Sequence, residues 1–142
     1  LALAIGPTAD LGDTMRARGL RAARLKLAKA FILANSARHD LSIVVVADKL
    51  NVTPRYVQRL FEIDGTTFSA FLSGVRLTNA HRMLCDPACR SLAIASIAYD
   101  VGFGDLSNFV RSFHRAAGAS PLKFRQASRG DRKIFQERLA LQ

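Results

Sequence analysis

Two short stretches of the chain carry polar side chains of types that can hydrogen-bond to the edges of bases. The first is RYVQR at 55–59 and the second is LSNFVR at 106–111. An arginine can donate two parallel hydrogen bonds to O6 and N7 of guanine, and a glutamine can pair with N6 and N7 of adenine. The predicted base-contacting residues are Arg55, Tyr56, Gln58 and Arg59 in the first stretch, and Ser107, Asn108 and Arg111 in the second.

These side chains can reach bases only if helices turn them outward. Behind the first stretch, Val57, Leu60 and Phe61 recur at helical spacing and are predicted to face the core. Behind the second, Phe109 and Phe113 lie four residues apart and share one buried face. The helix ends are predicted from capping residues, with Thr53-Pro54 and Asp105 starting the two helices, Gly118 ending the second, and Ser120-Pro121 starting the next.

A tight turn precedes the second stretch, and the chain contains an earlier copy of it. Gly102 can take the positive φ that a turn between two helices requires. Asn51 occupies the matching place in the first copy, and asparagine also tolerates the left-handed region. The chain is therefore predicted to hold two helix-turn-helix units, a DNA-reading shape. The repeat matches Ala47, Asn51 and Val52 to Ala98, Gly102 and Phe103 at the same spacing.

Two more helices are predicted upstream of the first stretch. Met15–Ser36 has apolar residues at helical spacing and is rich in arginine and lysine, with Gly19 as an alternative start. Ile43–Val46 would favour a strand by propensity. Because Ser42 can cap a helix and the helical apolar pattern continues beyond it, we predict a helix there as well.

The expected organisation is all-α, with two helix-turn-helix subdomains joined by a long spacer helix. Residues 1–14 are interpreted as a linker or the remnant of a preceding domain, and 15–66 as the first subdomain. Residues 67–86 form the spacer helix and 87–128 the second subdomain. Residues 129–142 are a C-terminal tail, for which a short helix is one interpretation.

Composition narrows the classes of partner. The chain has 142 residues, 49% of them hydrophobic, and a formal net charge of +10 with a sequence pI near 10.8. Such an excess of positive charge on a small domain is typical of proteins that bind nucleic acid or an anionic membrane. The alternative is an ordinary basic surface without such a partner. No apolar run approaches the roughly 20 residues of a membrane span. Two cysteines favour a reducing compartment over a disulfide scaffold, so a cytoplasmic location is expected.

Phosphate contacts are predicted at helix N-termini and at nearby hydroxyl or basic side chains. Arg76 and Arg125 have a structural alternative, in which they brace the fold by pairing with acidic residues such as Asp64 or Asp105. The candidates for phosphate binding are Thr53, Thr66, Thr67, Arg76, Ser120 and Lys123.

No catalytic arrangement is visible in the sequence. The histidines are scattered, and the chain has neither a glycine-rich phosphate loop nor a nucleophilic triad, so no enzyme activity and no cofactor are expected. His81, Cys85 and Cys89 have spacing that resembles a metal site. A zinc site needs a fourth ligand and none lies nearby, so thiols without metal are the preferred interpretation.

The second unit also resembles a known family. The pattern I-A-x3-G-F-x5-F-x3-F, followed by G-x-S-P-x2-[FY]-R, is similar to the signature of the AraC/XylS family of bacterial transcription regulators, and the resemblance covers about 25–125. The matching residues are Ile97, Ala98, Gly102, Phe103, Phe109, Phe113, Gly118, Ser120, Pro121, Phe124 and Arg125.

The resemblance implies a homeodomain-like fold of about seven helices that binds promoter DNA sequence-specifically across two adjacent major-groove segments. It also implies that Arg55, Gln58 and Arg59 face the groove, that activation is commoner than repression, and that a sensor or dimerisation domain lies outside this chain. Val44 and Val45 occupy positions that are commonly acidic, and with Leu33 they form an apolar patch that suits a sensor domain, a second subunit or RNA polymerase; the alternative is that they pack under the N-terminal tail. The rival interpretations are a nonspecific architectural DNA binder and a protein-interaction module that uses the Val44/Val45 patch.

Overall fold

The computed structural model describes residues 2–128. In this part of the chain all the regular secondary structure is helical, and there is no strand. The all-α prediction and the estimate of about seven helices are confirmed. No helix of the described part is long and apolar enough to cross a membrane. The helices are α1 (Ala2–Asn35), α2 (Ile43–Leu50), α3 (Pro54–Ile63), α4 (Phe68–Cys85), α5 (Ile94–Asp100), α6 (Leu106–Ala117) and α7 (Pro121–Ala127), with a 3-10 turn at Pro87–Cys89.

Helix α1 begins much earlier than the sequence pattern indicated. It starts at Ala2 instead of Met15 or Gly19, so residues 2–14, interpreted as a linker or the remnant of a preceding domain, are helical. Gly19 lies inside the helix, and a Cβ added there would meet nothing within 4 Å. A glycine in a helix interior costs only about 1 kcal/mol, which the surrounding alanine, leucine and arginine residues offset by their high helix propensity.

The described residues form two compact units. The first contains 2–34 and 42–68, and the second contains 35–41 and 69–128. Almost all of α4 therefore belongs to the second unit, because Leu77, Ala80 and Leu84 are part of that unit's core. The predicted spacer at 67–86 contains the helix Phe68–Cys85, and the predicted division into subdomains stays a prediction. The tail at 129–142 lies outside the described residues.

Each unit has its own apolar core. In the first unit the fully or almost fully buried side chains come from all three helices: Ala28, Ile32, Val46, Ala47, Val57, Leu60 and Phe61. In the second unit, Phe109, Phe113 and Phe124 pack through ring contacts at centroid distances of 5.8 and 5.5 Å. Full burial of such a ring stabilises the fold by roughly 1.5–3 kcal/mol.

The predicted repeat appears as the same turn in both units. Asn51 has φ 56° and Gly102 has φ 111°, so both occupy the positive-φ region. The following amide donates to a carbonyl five residues back in each copy, Val52 to Ala47 at 3.0 Å and Phe103 to Ala98 at 2.9 Å. This is the hydrogen bond that closes a Schellman motif at a helix C-terminus.

Capping side chains set the starts of the helices that follow. Ser42 accepts from the Val45 amide, Thr53 from Tyr56, Asp105 from Ser107 and Ser120 from Lys123. The cap at Ser42 explains why the β-branched run Ile43–Val46 is helical, as predicted, despite its strand propensity. Each of these caps was expected from the sequence.

Candidate nucleic-acid interface

Helix α3 presents a polar face opposite its buried one. Val57, Leu60 and Phe61 are buried, while Arg55, Gln58 and Arg59 are exposed. Gln58 Nε2 donates to Glu62 Oε1 at 3.0 Å, which orients the amide along the helix. One amide hydrogen and the carbonyl oxygen of Gln58 remain available for a ligand, since the bond to Glu62 uses only one of the two N–H groups.

Tyr56 differs from the other residues predicted to contact bases. Its ring is half-buried, and its hydroxyl accepts from Arg24 Nη1 at 3.2 Å. The Arg24 guanidinium also lies 5.3 Å from the ring centroid, a cation–π distance. These contacts hold α3 against α1, so the structure gives Tyr56 a packing role on the flank of the helix.

Helix α6 presents the corresponding face of the second unit. Ser107, Asn108 and Arg111 are exposed, and Asn108 Oδ1 accepts from Ser112 Oγ at 3.3 Å. Arg115 lies one turn beyond Arg111 and is also exposed, which adds a cation that sequence reasoning missed although the i, i+4 spacing contained it.

The predicted phosphate-binding residues fall into different surroundings. Thr53 and Ser120 are N-caps whose hydroxyl oxygens accept backbone amides, so each still has an O–H to donate. Thr66 is half-buried in the turn after α3, where its amide donates to Phe61 O at 3.0 Å. Thr67 and Lys123 have exposed side chains, beside the start of α4 and in the first turn of α7.

Arg76 is a partly buried brace within the second unit. Its Nε donates to the Ser36 carbonyl at 2.7 Å and its Nη2 to the Arg38 carbonyl at 2.8 Å. Burial lowers the pKa of Arg76 from its usual high value. The structural alternative is therefore the better description, with backbone carbonyls as acceptors in place of the expected carboxylates.

Arg125 also departs from the expected ion pairing. Its Nε and Nη2 are buried without a hydrogen-bond partner in the described part of the chain.

His81, Cys85 and Cys89 lie on or just after α4. The His81 ring packs against Phe124 at a centroid distance of 4.8 Å, and burial followed by the charge of Arg82 lowers its pKa below 6.5. Neither cysteine forms a disulfide within the described residues. Among the described residues, no group of three or more histidine, cysteine or carboxylate side chains is placed to hold a metal ion.

Comparison with known proteins adds independent evidence. The helix-turn-helix domain family matches residues 46–127. The transcriptional activator RhrA of Rhizobium meliloti is 37% identical over 103 residues, covering 72% of this chain and 32% of that protein. The transcriptional activator NphR of a Rhodococcus species is 33% identical over 87 residues, covering 61% and 25%. The chain thus spans about a third or less of the length of these relatives.

Solved structures give the same result for the fold. The C-terminal domain of AraT, a response regulator from Geobacillus stearothermophilus, superimposes with a TM-score of 0.67 at 30% identity, covering 73% of this chain and 84% of that one. A probable AraC family regulator from Rhodopseudomonas palustris gives a TM-score of 0.68 at 24% identity, covering 75% and 97%. With the family match over more than half of its residues, the chain belongs to the AraC/XylS family of transcription regulators and is a sequence-specific DNA-binding domain of that family.

Proposed function

We propose that α3 and α6 are the two recognition helices, each placed in a major-groove segment of promoter DNA, and that α3 contributes most of the sequence specificity. The observation that carries this proposal is the exposed set Arg55, Gln58 and Arg59 on the face of α3 opposite its buried residues. Long side chains with several donors discriminate bases better than short ones.

Each residue of this set has a distinct task in the proposal. Arg55 and Arg59 donate in pairs to guanine O6 and N7. Gln58, held by Glu62, uses its free N–H and its carbonyl oxygen on N7 and N6 of adenine. Because Glu62 orients the amide before DNA arrives, less side-chain entropy is lost on binding.

Helix α6 anchors and adjusts the complex. Ser107 and Asn108 are short, and Arg111 is the one long donor among its predicted base-contacting residues, with Arg115 one turn away suited to a phosphate. The hydroxyls of Thr53, Thr66, Thr67 and Ser120 and the ammonium of Lys123 supply further phosphate contacts in this proposal. Such contacts fix the register of the protein without reading the sequence.

For the protein as a whole we propose an activator of bacterial transcription that acts in the cytoplasm and has no enzyme activity. The curated relatives RhrA and NphR are named transcriptional activators, which supports activation over repression. A sensor or dimerisation domain outside this chain and contact with RNA polymerase belong to the same proposal.

The test is a selection from random DNA, followed by affinity measurements on the selected site and a scrambled one. Arg59→Ala is expected to lose about 10- to 100-fold affinity, or roughly 1–3 kcal/mol, and to accept more bases at one position. Arg111→Ala is expected to relax base preference less. Arg90→Ala, an exposed arginine outside both helices, is the charge-matched control that keeps base preference.

Two outcomes would contradict the proposal. A nonspecific architectural binder would select no motif and would show only a steep salt dependence. A larger loss of base preference in Arg111→Ala than in Arg59→Ala would reverse the assignment of the two helices.

A further inference from the structure

A groove in the first unit lies between α1 and the end of α3. Its volume is about 330 Å³, within the usual range for ligand-sized sites. Its lining residues are Arg18, Arg21, Ala22 and Leu25 from α1, and Leu60, Ile63 and Asp64 from α3 and its C-cap.

The groove combines apolar walls with an exposed hydrophobic rim. Leu25 and Leu60 contribute apolar walls, and Leu60 is only 2% exposed. Ile63 at the rim has 65% of its surface exposed. A branched aliphatic side chain this exposed beside an apolar groove favours contact with another apolar group, since covering it removes hydrocarbon from water.

The charge at the rim is strongly positive. The carboxylate of Asp64 is paired with Lys29 Nζ at 2.6 Å, so it does not neutralise the arginines of the groove. Arg18 and Arg21 have no ion pair or hydrogen bond in the part of the chain that the structure describes. No acidic residue occurs between Thr14 and Asn35, while Arg16, Arg18, Arg21, Arg24, Lys26 and Lys29 do.

We propose that this groove is a docking site for an acidic, amphipathic helical segment of a partner protein. An apolar side chain of that segment enters between Leu25 and Ile63, and its carboxylates pair with Arg18 and Arg21. Charge complementarity selects this occupant, because a second copy of α1 would bring like charges together. DNA would leave the apolar walls unused.

The groove adjoins the proposed base-contacting face of α3 at one edge. At 100° per residue, Leu60 lies about 160° around α3 from Gln58, whereas Ile63 lies only about 40° from Arg59, one turn further along the helix. The docking proposal rests on the lining and charge of the groove and does not depend on which residues of α3 contact bases.

The probe is a synthetic helical peptide with leucines at i, i+3, i+4 and i+7 and glutamates elsewhere, with a scrambled peptide of identical composition as its reference. Backbone NMR shifts on titration are expected at Ala22, Leu25 and Ile63. We expect Arg18→Gln/Arg21→Gln to weaken binding about 10-fold, and Ile63→Gln to weaken it by a similar factor. Ile63 is exposed, so its replacement leaves the core intact.

Two controls match these variants. Arg16→Gln/Lys26→Gln removes the same charge from α1 outside the groove, and Leu27→Gln alters an exposed leucine on the opposite flank of α1. Both are expected to bind within about 2-fold of the parent protein. Three outcomes would each overturn the proposal. The first is equal weakening of peptide binding by the two charge variants, and the second is equal binding of the scrambled peptide. The third is that dodecanoate alone produces the same NMR shifts and binds with higher affinity than the peptide.

Discussion

The residue at the left-handed turn position is glycine in one unit and asparagine in the other, and the surroundings explain the difference. A Cβ at Gly102 would lie 2.6 Å from the Ser36 carbonyl oxygen and 2.6 Å from Arg76 Nε. Asn51 has φ 56°, close to the ideal left-handed value that asparagine tolerates. Gly102 is thus required both by its φ of 111° and by the close approach of the Arg76 brace.

Gly102→Ala is therefore expected to destabilise the second unit by about 3 kcal/mol or more, because backbone strain and a backbone clash add. Gly65→Ala is the matched control, with φ 83° and open space around the added Cβ, and should cost only about 1–2 kcal/mol. Urea unfolding of both variants measures the difference. Equal losses would show that φ alone selects glycine at Gly102.

At this scale, residue type and spacing predicted the turns and caps but not every role. Asn51 and Asp105 act through neighbours within a few residues, so their functions can be read from local sequence, whereas the need for glycine at 102 comes partly from Ser36 and Arg76. Tyr56 and Arg76 bind partners 32 and 40 residues away in sequence. Only the folded chain reveals those contacts, and the base contact of Tyr56 and the phosphate contact of Arg76 stay predictions.

At the scale of elements, α2 and α3 both begin at an N-cap residue with a hydroxyl side chain, Ser42 and Thr53. Removing the two hydroxyls is expected to have different consequences. Thr53→Ala should cost about 1 kcal/mol of stability, and DNA affinity as well if its O–H donates to phosphate. Ser42→Ala removes the corresponding cap of α2 and should cost stability alone. Denaturant midpoints together with anisotropy on the selected site separate the two effects. If both variants lose affinity equally, the phosphate contact of Thr53 is absent.

The packing of His81 on Phe124 makes the pairing of α4 with α7 sensitive to pH. Because burial and then Arg82 lower the folded-state pKa of His81 below 6.5, the unfolded chain binds the proton more readily. Stability from this residue is present above about pH 6.5 and is lost as the pH falls through and below that value.

We expect the urea midpoint of the second unit to fall between pH 7 and 5 and His81→Gln to flatten that fall. His114→Gln, which replaces an exposed histidine, is the control and should keep the parent profile. An unchanged profile in His81→Gln would mean that other groups govern the acid sensitivity.

Helix starts were predicted most closely where a capping side chain is present. The cap at Ser42 outweighed the β-branched run after it, so α2 was expected correctly. Helix α1 begins at Ala2, ahead of both predicted starts, Met15 and Gly19. The place of Leu77, Ala80 and Leu84 of α4 in the core depends on tertiary contacts, which only the folded chain reveals.

At the scale of the whole molecule, the two units are not consecutive along the chain. The second unit includes 35–41, which lies between two parts of the first. Helix α4 holds the segment 35–41 through side-chain hydrogen bonds. The Arg76 guanidinium donates to the carbonyls of Ser36 and Arg38, and Asn79 Nδ2 donates to Ser36 Oγ at 3.2 Å.

A fragment of residues 69–128 is therefore expected to be less stable than the described chain, because Arg76 would keep its partial burial and lose its acceptors. Adding Arg76→Met to that fragment should restore part of its stability, whereas the same substitution in the intact chain should reduce it. Thermal unfolding followed by circular dichroism compares the four proteins. The same sign of effect in both backgrounds would contradict this account.

The interleaving also limits how such domains can be recombined. A chimaera with a single crossover within α4 would take residues after the crossover from one relative and the loop at 35–41 from another. The residue at position 76 and its backbone acceptors in the loop would then come from different proteins. A chimaera that changes DNA preference by exchanging the second unit should carry 35–41 with it as a second insert. The part that must be exchanged therefore consists of two separate segments of the chain, 35–41 and 69–128.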